Sequence, residues 1–134
     1  MKKKKGCKDA EETIPEDEFL ERWLEDLRTC GKIIIVEGSK DKKALTAFGI
    51  KNIITLRRPL YLVCEEVAYK ATDAVILTDL DKKGKELYGK LNTTLQTLGV
   101  RVDHRFREDL FKNTELHQIE GLVRYCQHRI DDLK

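Results

Sequence analysis

The chain has 134 residues, enough for one domain of ordinary size with a sizeable core, and no second domain is visible in it. Its 26 Lys and Arg stand against 24 Asp and Glu, and a net charge of +2 is too small to mark a nucleic-acid binder by composition, so such a role rests on where the charges lie. Cys7, Cys30, Cys64 and Cys126 are too dispersed for a zinc site, no stretch reaches transmembrane length, and no apolar run follows Met1–Lys5, so a cytoplasmic protein with reduced thiols and no membrane contact is expected.

Residues 1–14 mix a lysine run with Glu11 and Glu12, which predicts a mobile basic and acidic tail whose lysines are either solvated or set against phosphate. A single domain follows over 15–134. Leu20, Trp23, Leu24 and Leu27 recur at helical spacing and predict a helix from Glu16 to about Arg28, with an acidic first turn and Trp23 as a packing anchor. From Lys32 strand and helix alternate. A strand Lys32–Val36 leads to a helix from Ser39, the expected N-cap, to Phe48, stopped by Gly49. A strand Asn52–Leu56 leads to a helix opened by Pro59 that carries Leu60, Val63 and Val67. A strand Asp73–Thr78 leads to a long helix burying Leu87, Leu91, Leu95 and Leu98 and ended by Gly99. A strand from Val100 to about His104 comes next, and a last helix from about Thr114 sets Leu116, Ile119, Val123, Cys126 and Ile130 on one face.

Strands separated by helices of this length imply right-handed crossovers, hence a three-layer, Rossmann-like α/β fold with a four-stranded parallel sheet and helices on both faces. The order 2-1-3-4 sets strands one and three side by side, about 4.8 Å apart, at the topological switch point. Acids stand at that place. Ile33-Ile34-Ile35-Val36 runs into Glu37-Gly38-Ser39-Lys40-Asp41, and Val75-Ile76-Leu77 runs into Thr78-Asp79-Leu80-Asp81-Lys82-Lys83-Gly84. Glu37, Asp79 and Asp81 then face one crevice and can hold a hard cation such as Mg²⁺ or Mn²⁺, provided that they lie within about 12 Å of one another. Each acid taken singly reads as an ordinary helix-capping residue. The set reads as a site, with Gly38 and Gly84 allowing close backbone approach and helix N-termini offering amides.

Arg57 and Arg58 follow strand two, and Arg105 and Arg107 follow strand four, so a parallel sheet brings both pairs to the edge that carries the acids. There they would hold phosphates on either side of the metal, with Lys40, Lys82 and Lys83 nearer to it. Each basic residue is equally readable as surface solubility. Asp41 is either a first-turn helix acid or a member of the site, and Glu120 either reaches the crevice or misses it. His104, His117 and His128 show no metal or triad spacing and read as structural or surface residues, with His104 within reach of the basic rim. Tyr61, Tyr69, Tyr88 and Tyr125 read as helix-face packing. The turn Glu37-Gly38-Ser39-Lys40 lacks the Gly-x-Gly-x-x-Gly pattern, which disfavours dinucleotide binding.

The run Ile34-Ile35-Val36-Glu37-Gly38-Ser39-Lys40-Asp41, with Ala44-Leu45 beyond it, resembles the first motif of the Toprim domain of topoisomerases, bacterial primases, certain nucleases and recombination proteins. Leu77-Thr78-Asp79-Leu80-Asp81-Lys82-Lys83-Gly84 resembles the second, an Asp-x-Asp followed by Gly. The two stand in the right order, each at a strand end, and the resemblance covers about Gly31 to Gly121. It implies that Glu37 serves as general acid or base and that Asp79 and Asp81, with Glu37, hold a divalent metal. It lies nearest the ribosomal-RNA-maturing ribonuclease and bacterial primase branch, whose members extend beyond their Toprim portion, so a small stand-alone relative is expected here. The implied function is a Mg²⁺-dependent, nuclease-like phosphodiester hydrolase acting on RNA or DNA. The alternative is a non-catalytic Toprim module that binds nucleic acid within a larger RNA-processing or DNA-repair assembly. The small basic excess and an exposed sheet edge leave room for a homodimer or a protein partner that supplies substrate-binding surface.

Overall fold

Apolar residues fill Ile33–Val36 and follow Asp73 without a break to Leu77, so neither face of these strands suits water. In the computed structural model of the protein, which describes residues 16–126, they are the two central strands of a four-stranded parallel sheet. With β1 (Ile33–Val36), β2 (Ile53–Thr55), β3 (Asp73–Leu77) and β4 (Arg101–Asp103), the order is β2-β1-β3-β4, as predicted. Val36 lies in register with Thr55 on one side and Leu77 on the other.

The period of two along a strand divides the core into two layers. Ile34, Val36, Val75 and Leu77 meet α1 (Glu16–Thr29), α2 (Ser39–Thr46) and α5 (Arg105–Asn113) through Leu24, Leu27, Leu45 and Leu110. Ile35, Ala74 and Ile76 meet α3 (Leu60–Lys70) and α4 (Lys82–Thr97) through Val63, Val67, Leu91 and Leu95. Trp23 locks α1 to α5: its indole N–H donates to the Phe106 carbonyl at 2.8 Å and its ring meets the Phe106 ring edge-on at 6.1 Å.

Several boundaries differ from the sequence reading. Gly38, not Ser39, occupies the N-cap of α2, because the Asp41 carboxylate two residues into the helix beyond Ser39 turns back to accept the Gly38 N–H at 3.1 Å. Helix α2 ends at Thr46 rather than Phe48, and Leu87 and Leu98 are half-buried. Gly99 ends α4 as expected, at a left-handed φ of 87° that a side chain rarely tolerates. The largest difference follows β4. Residues 105–113, read as a connection, form α5, and the helix expected from Thr114 does not begin there. Residues 114–118 instead form a non-helical strap, closed by a single 3-10 turn at Ile119–Gly121, with 122–126 helical beyond it.

The strap has a physical reason. Its backbone is engaged by the loop after β3: the Leu80 N–H donates to the His117 carbonyl at 2.8 Å, and the Ile119 N–H donates to the Asp79 carboxylate at 2.8 Å. Cys30, Cys64 and Cys126 are free thiols, the latter two buried. Among the described residues no helix is long and apolar enough to cross a membrane. The predicted tail, Cys7, His128 and Ile130 lie outside the described residues.

Candidate functional site

The pairing of β1 with β3 delivers Glu37 and Asp79 to one place on the carboxyl edge of the sheet. The Asp79 backbone N–H donates to the Glu37 carboxylate at 2.7 Å, so the two acid motifs are bonded to each other, far inside the 12 Å or so that a shared cation tolerates. Asp81, two residues on, is the N-cap of α4 and accepts the Gly84 N–H at 2.7 Å.

Gly84 is fixed by contact. A Cβ there would stand 2.0 Å from the Asp79 carbonyl oxygen and 2.6 Å from its carbon, so the first turn of α4 lies directly on the acid loop. Thr78, also buried, adds a hydroxyl bond to the Gly84 carbonyl at 2.7 Å. Gly38 differs. Its backbone is extended and a Cβ would meet nothing within 4 Å, so the fold itself does not demand a glycine there.

Asp41 and Asp79 are buried carboxylates, 4% and 9% exposed. Burial pushes Asp79 up to about 6, with Asp41, Glu37 and Asp81 adding repulsion and the Ile119 N–H opposing it. Burial likewise raises Asp41, and Glu37 and Glu120 repel it, so Asp41 belongs to the cluster and Glu120 is brought within electrostatic reach of it.

The sign of the linkage follows. Across the window from about 4, the ordinary carboxylate value, to about 6, the folded chain retains a proton at Asp79 that the unfolded chain has released, so this group's contribution to stability falls as pH rises through the window. Asp79→Asn keeps an oxygen for the Ile119 N–H and removes the charge. It is expected to raise the Tm by roughly 2–6 °C near pH 8 and by less near pH 4.5. Thermal unfolding at the two pH values checks this, and a lowered Tm near pH 8 would contradict it.

The basic residues divide. Arg57, Lys40, Lys82 and Lys83 are exposed on the carboxyl edge, at the end of β2 and in the first turns of α2 and α4. Arg58 is at the same edge but pairs with Glu66 of α3. Arg105 and Arg107 follow β4 as expected, but in the first turn of α5. Arg105 turns to Asp103 at 2.9 Å and, with Lys32, holds that carboxyl well below the usual range. Arg107 turns inward and donates to the carbonyls of Thr78 at 2.8 Å and Asp79 at 2.7 Å, its guanidinium lying over the rings of Tyr88 and Phe111. It clamps the acid loop from below. His104 bonds to the Tyr88 hydroxyl, and Tyr125 accepts the Glu115 N–H, so these two tyrosines pack as expected while Tyr61 and Tyr69 are exposed.

Sequence reasoning missed the backbone groups of His117 and Ile119. Main-chain amides and carbonyls occur at nearly every position and leave no compositional mark; the nearest signal was Glu120 beside them.

Glu37, Asp79 and Asp81 each commit one carboxylate oxygen to a backbone N–H, and among the described residues no hydrogen bond reaches the second oxygen of any of them. No three His, Cys, Asp or Glu side chains among the described residues are placed to hold an ion between them. Hard oxygen donors with free lone pairs, too few to encage an ion, match Mg²⁺ or Mn²⁺ bound largely through water, since Mg²⁺ ordinarily takes one or two protein carboxylates plus substrate phosphate.

The chain is similar to the UPF0292 protein of Methanocaldococcus jannaschii, with 30% identity over 124 residues that cover 85% of this chain and 97% of the relative. It is 40% identical over 98 residues to a UPF0292 protein of Thermococcus sibiricus, covering 69% of this chain and 75% of that one. In three dimensions it matches a solved chain described as a putative protein from Aquifex aeolicus, with a TM-score of 0.71 and 35% identity over 76% of this chain and 96% of the other. No family model matches the sequence.

Proposed function

This chain belongs to the UPF0292 family, and from its acidic cleft we propose a metal-dependent phosphoryl-transfer protein that hydrolyses phosphodiester bonds in RNA or DNA. The observation that carries the reading is the 2.7 Å bond from the Asp79 N–H to Glu37, which joins the two stretches that resemble the Toprim motifs. A bound divalent cation would supply charge neutralisation on the scissile phosphate, held by one or two of the free carboxylate oxygens offered by Asp79, Asp81 and Glu37 and otherwise by water.

The chain's own residues do the rest. Glu37, with one oxygen fixed by the Asp79 amide, keeps the other to take a proton from an attacking water or give one to the leaving oxygen. No heavy atom lies within 4 Å of where a Cβ on Gly38 would stand, so a phosphate can approach the backbone closely there. Lys40, Lys82 and Lys83 add positive charge where the N-termini of α2 and α4 already favour an anion.

One observation favours a second reading, a non-catalytic nucleic-acid-binding module within a larger RNA-processing or DNA-repair assembly. Arg58 and Arg105 are neutralised by Glu66 and Asp103, which reduces the free basic surface and suits a second copy or a protein partner that completes it. The test is to incubate the protein with labelled structured RNA, single-stranded DNA and duplex DNA, with Mg²⁺ or Mn²⁺ and with chelator. Cutting that requires metal is the expected result. Binding without cutting under either metal would replace the first reading with the second, and absence of both would end both.

A further inference from the structure

We propose that Tyr61 is a base-stacking platform for single-stranded nucleic acid that enters the acidic cleft; this rests on the nucleic-acid reading above and assigns it a strandedness. The large apolar side chains exposed among the described residues are Tyr61 at 56%, Leu62 at 45% and Tyr69 at 91%, all on α3. They fall off the stripe of Leu60, Val63, Cys64 and Val67 that α3 turns to the core. No packing among the described residues accounts for them.

Position selects Tyr61. The Leu56 N–H donates to the Glu37 carbonyl at 3.3 Å, so the chain leaves β2 directly beside Glu37 and passes through exposed Arg57 and Arg58 into the first turn of α3. A phosphate near Arg57 and a base on Tyr61 make the pairing of cation and ring used by single-strand binders. Glu65, one turn further along α3, lies beside the Tyr61 hydroxyl and holds its proton more tightly. Tyr69 lies eight residues on, about 12 Å along the helix axis and towards the opposite edge of the sheet.

Charge decides the kind of occupant. Glu65, Glu66 and Lys70 interrupt the tyrosines and leucine, so the face offers no continuous apolar area of the sort a protein partner covers, whereas a base needs one ring. A duplex keeps its bases stacked inside and gains nothing from Tyr61.

Fluorescence anisotropy of the full chain with a labelled single-stranded heptanucleotide, as DNA and as RNA, and with the matching duplex, tests the proposal. Tyr61→Ala is expected to weaken single-strand binding roughly tenfold to a hundredfold, the size of one lost base–aromatic stack. Tyr61→Phe should restore it, and duplex binding and Tyr69→Ala should stay within about twofold of the unmodified chain. Single-strand binding unaltered by Tyr61→Ala overturns this inference and leaves the proposed function standing. Equal losses from Tyr61→Ala and Tyr69→Ala overturn it in favour of a diffuse surface. Absence of nucleic-acid binding by the unmodified chain removes the proposed function, and the inference with it.

Discussion

Gly84→Ala is expected to destabilise the protein by roughly 3–5 kcal/mol, at the far end of what single substitutions do. The added methyl would stand 2.0 Å from the Asp79 carbonyl oxygen, 2.6 Å from its carbon and 2.9 Å from its nitrogen. The obstruction is backbone, so no side chain can swing aside. Nor can the loop yield. Asp79 is held by Arg107 on its carbonyl, by Glu37 on its amide and by Ile119 on its carboxylate. A domain of this size has a total stability of roughly 7–20 kcal/mol, so the loss takes a large share of it. Gly89→Ala is the matched control on the same helix: nothing lies within 4 Å of its Cβ position, and the change should be neutral or stabilise by up to about 1 kcal/mol. Urea unfolding of both variants checks the contrast. A Gly84→Ala chain within about 1 kcal/mol of the unmodified one would mean that α4 does not rest on the acid loop.

Glu37→Gln is expected to lower the rate of metal-dependent cutting by roughly 10²–10⁴-fold, the range of a lost general acid or base. The amide oxygen of Gln can still accept the Asp79 N–H, so the cleft should keep its shape and the Tm should move little. Nucleic-acid binding without metal should hold or tighten slightly, because a negative charge leaves the phosphate's path. Single-turnover cleavage and anisotropy on one preparation separate the two effects. Equal loss of binding and cutting would make Glu37 a structural brace rather than a proton carrier.

The sheet was legible because two signals agreed. Uninterrupted apolar runs at Ile33–Val36 and before Thr78 suit only strands covered on both faces, and acids at their ends fit a switch point in the order found. Adjacent β1 and β3 then made the meeting of Glu37 with Asp79 a matter of geometry. Helix α5 escaped because five of its nine residues are charged and it buries just Phe106 and Leu110, too few to show a period. The strap escaped because its apolar residues fit a helical spacing while its backbone bonds elsewhere. Arginines show what sequence withholds about long side chains. Arg105 and Arg107 stand two residues apart on one helix, yet one pairs with Asp103 and the other reaches under the acid loop. Tyr61 and Tyr69 were readable in principle, since the stripe set by Leu60, Val63 and Val67 leaves them outside it.

The strap also sets an order of events. Every strand and both acid motifs leave the ribosome before His117 and Ile119 do, and until those arrive Asp79 has no amide for its carboxylate and Leu80 no carbonyl for its N–H. A nascent chain can therefore complete its sheet while its cleft is still unfinished. Assembly of the site waits until the strap has been made, and a protease that nicks 114–118 would dismantle the cleft while leaving each strand of the sheet uncut.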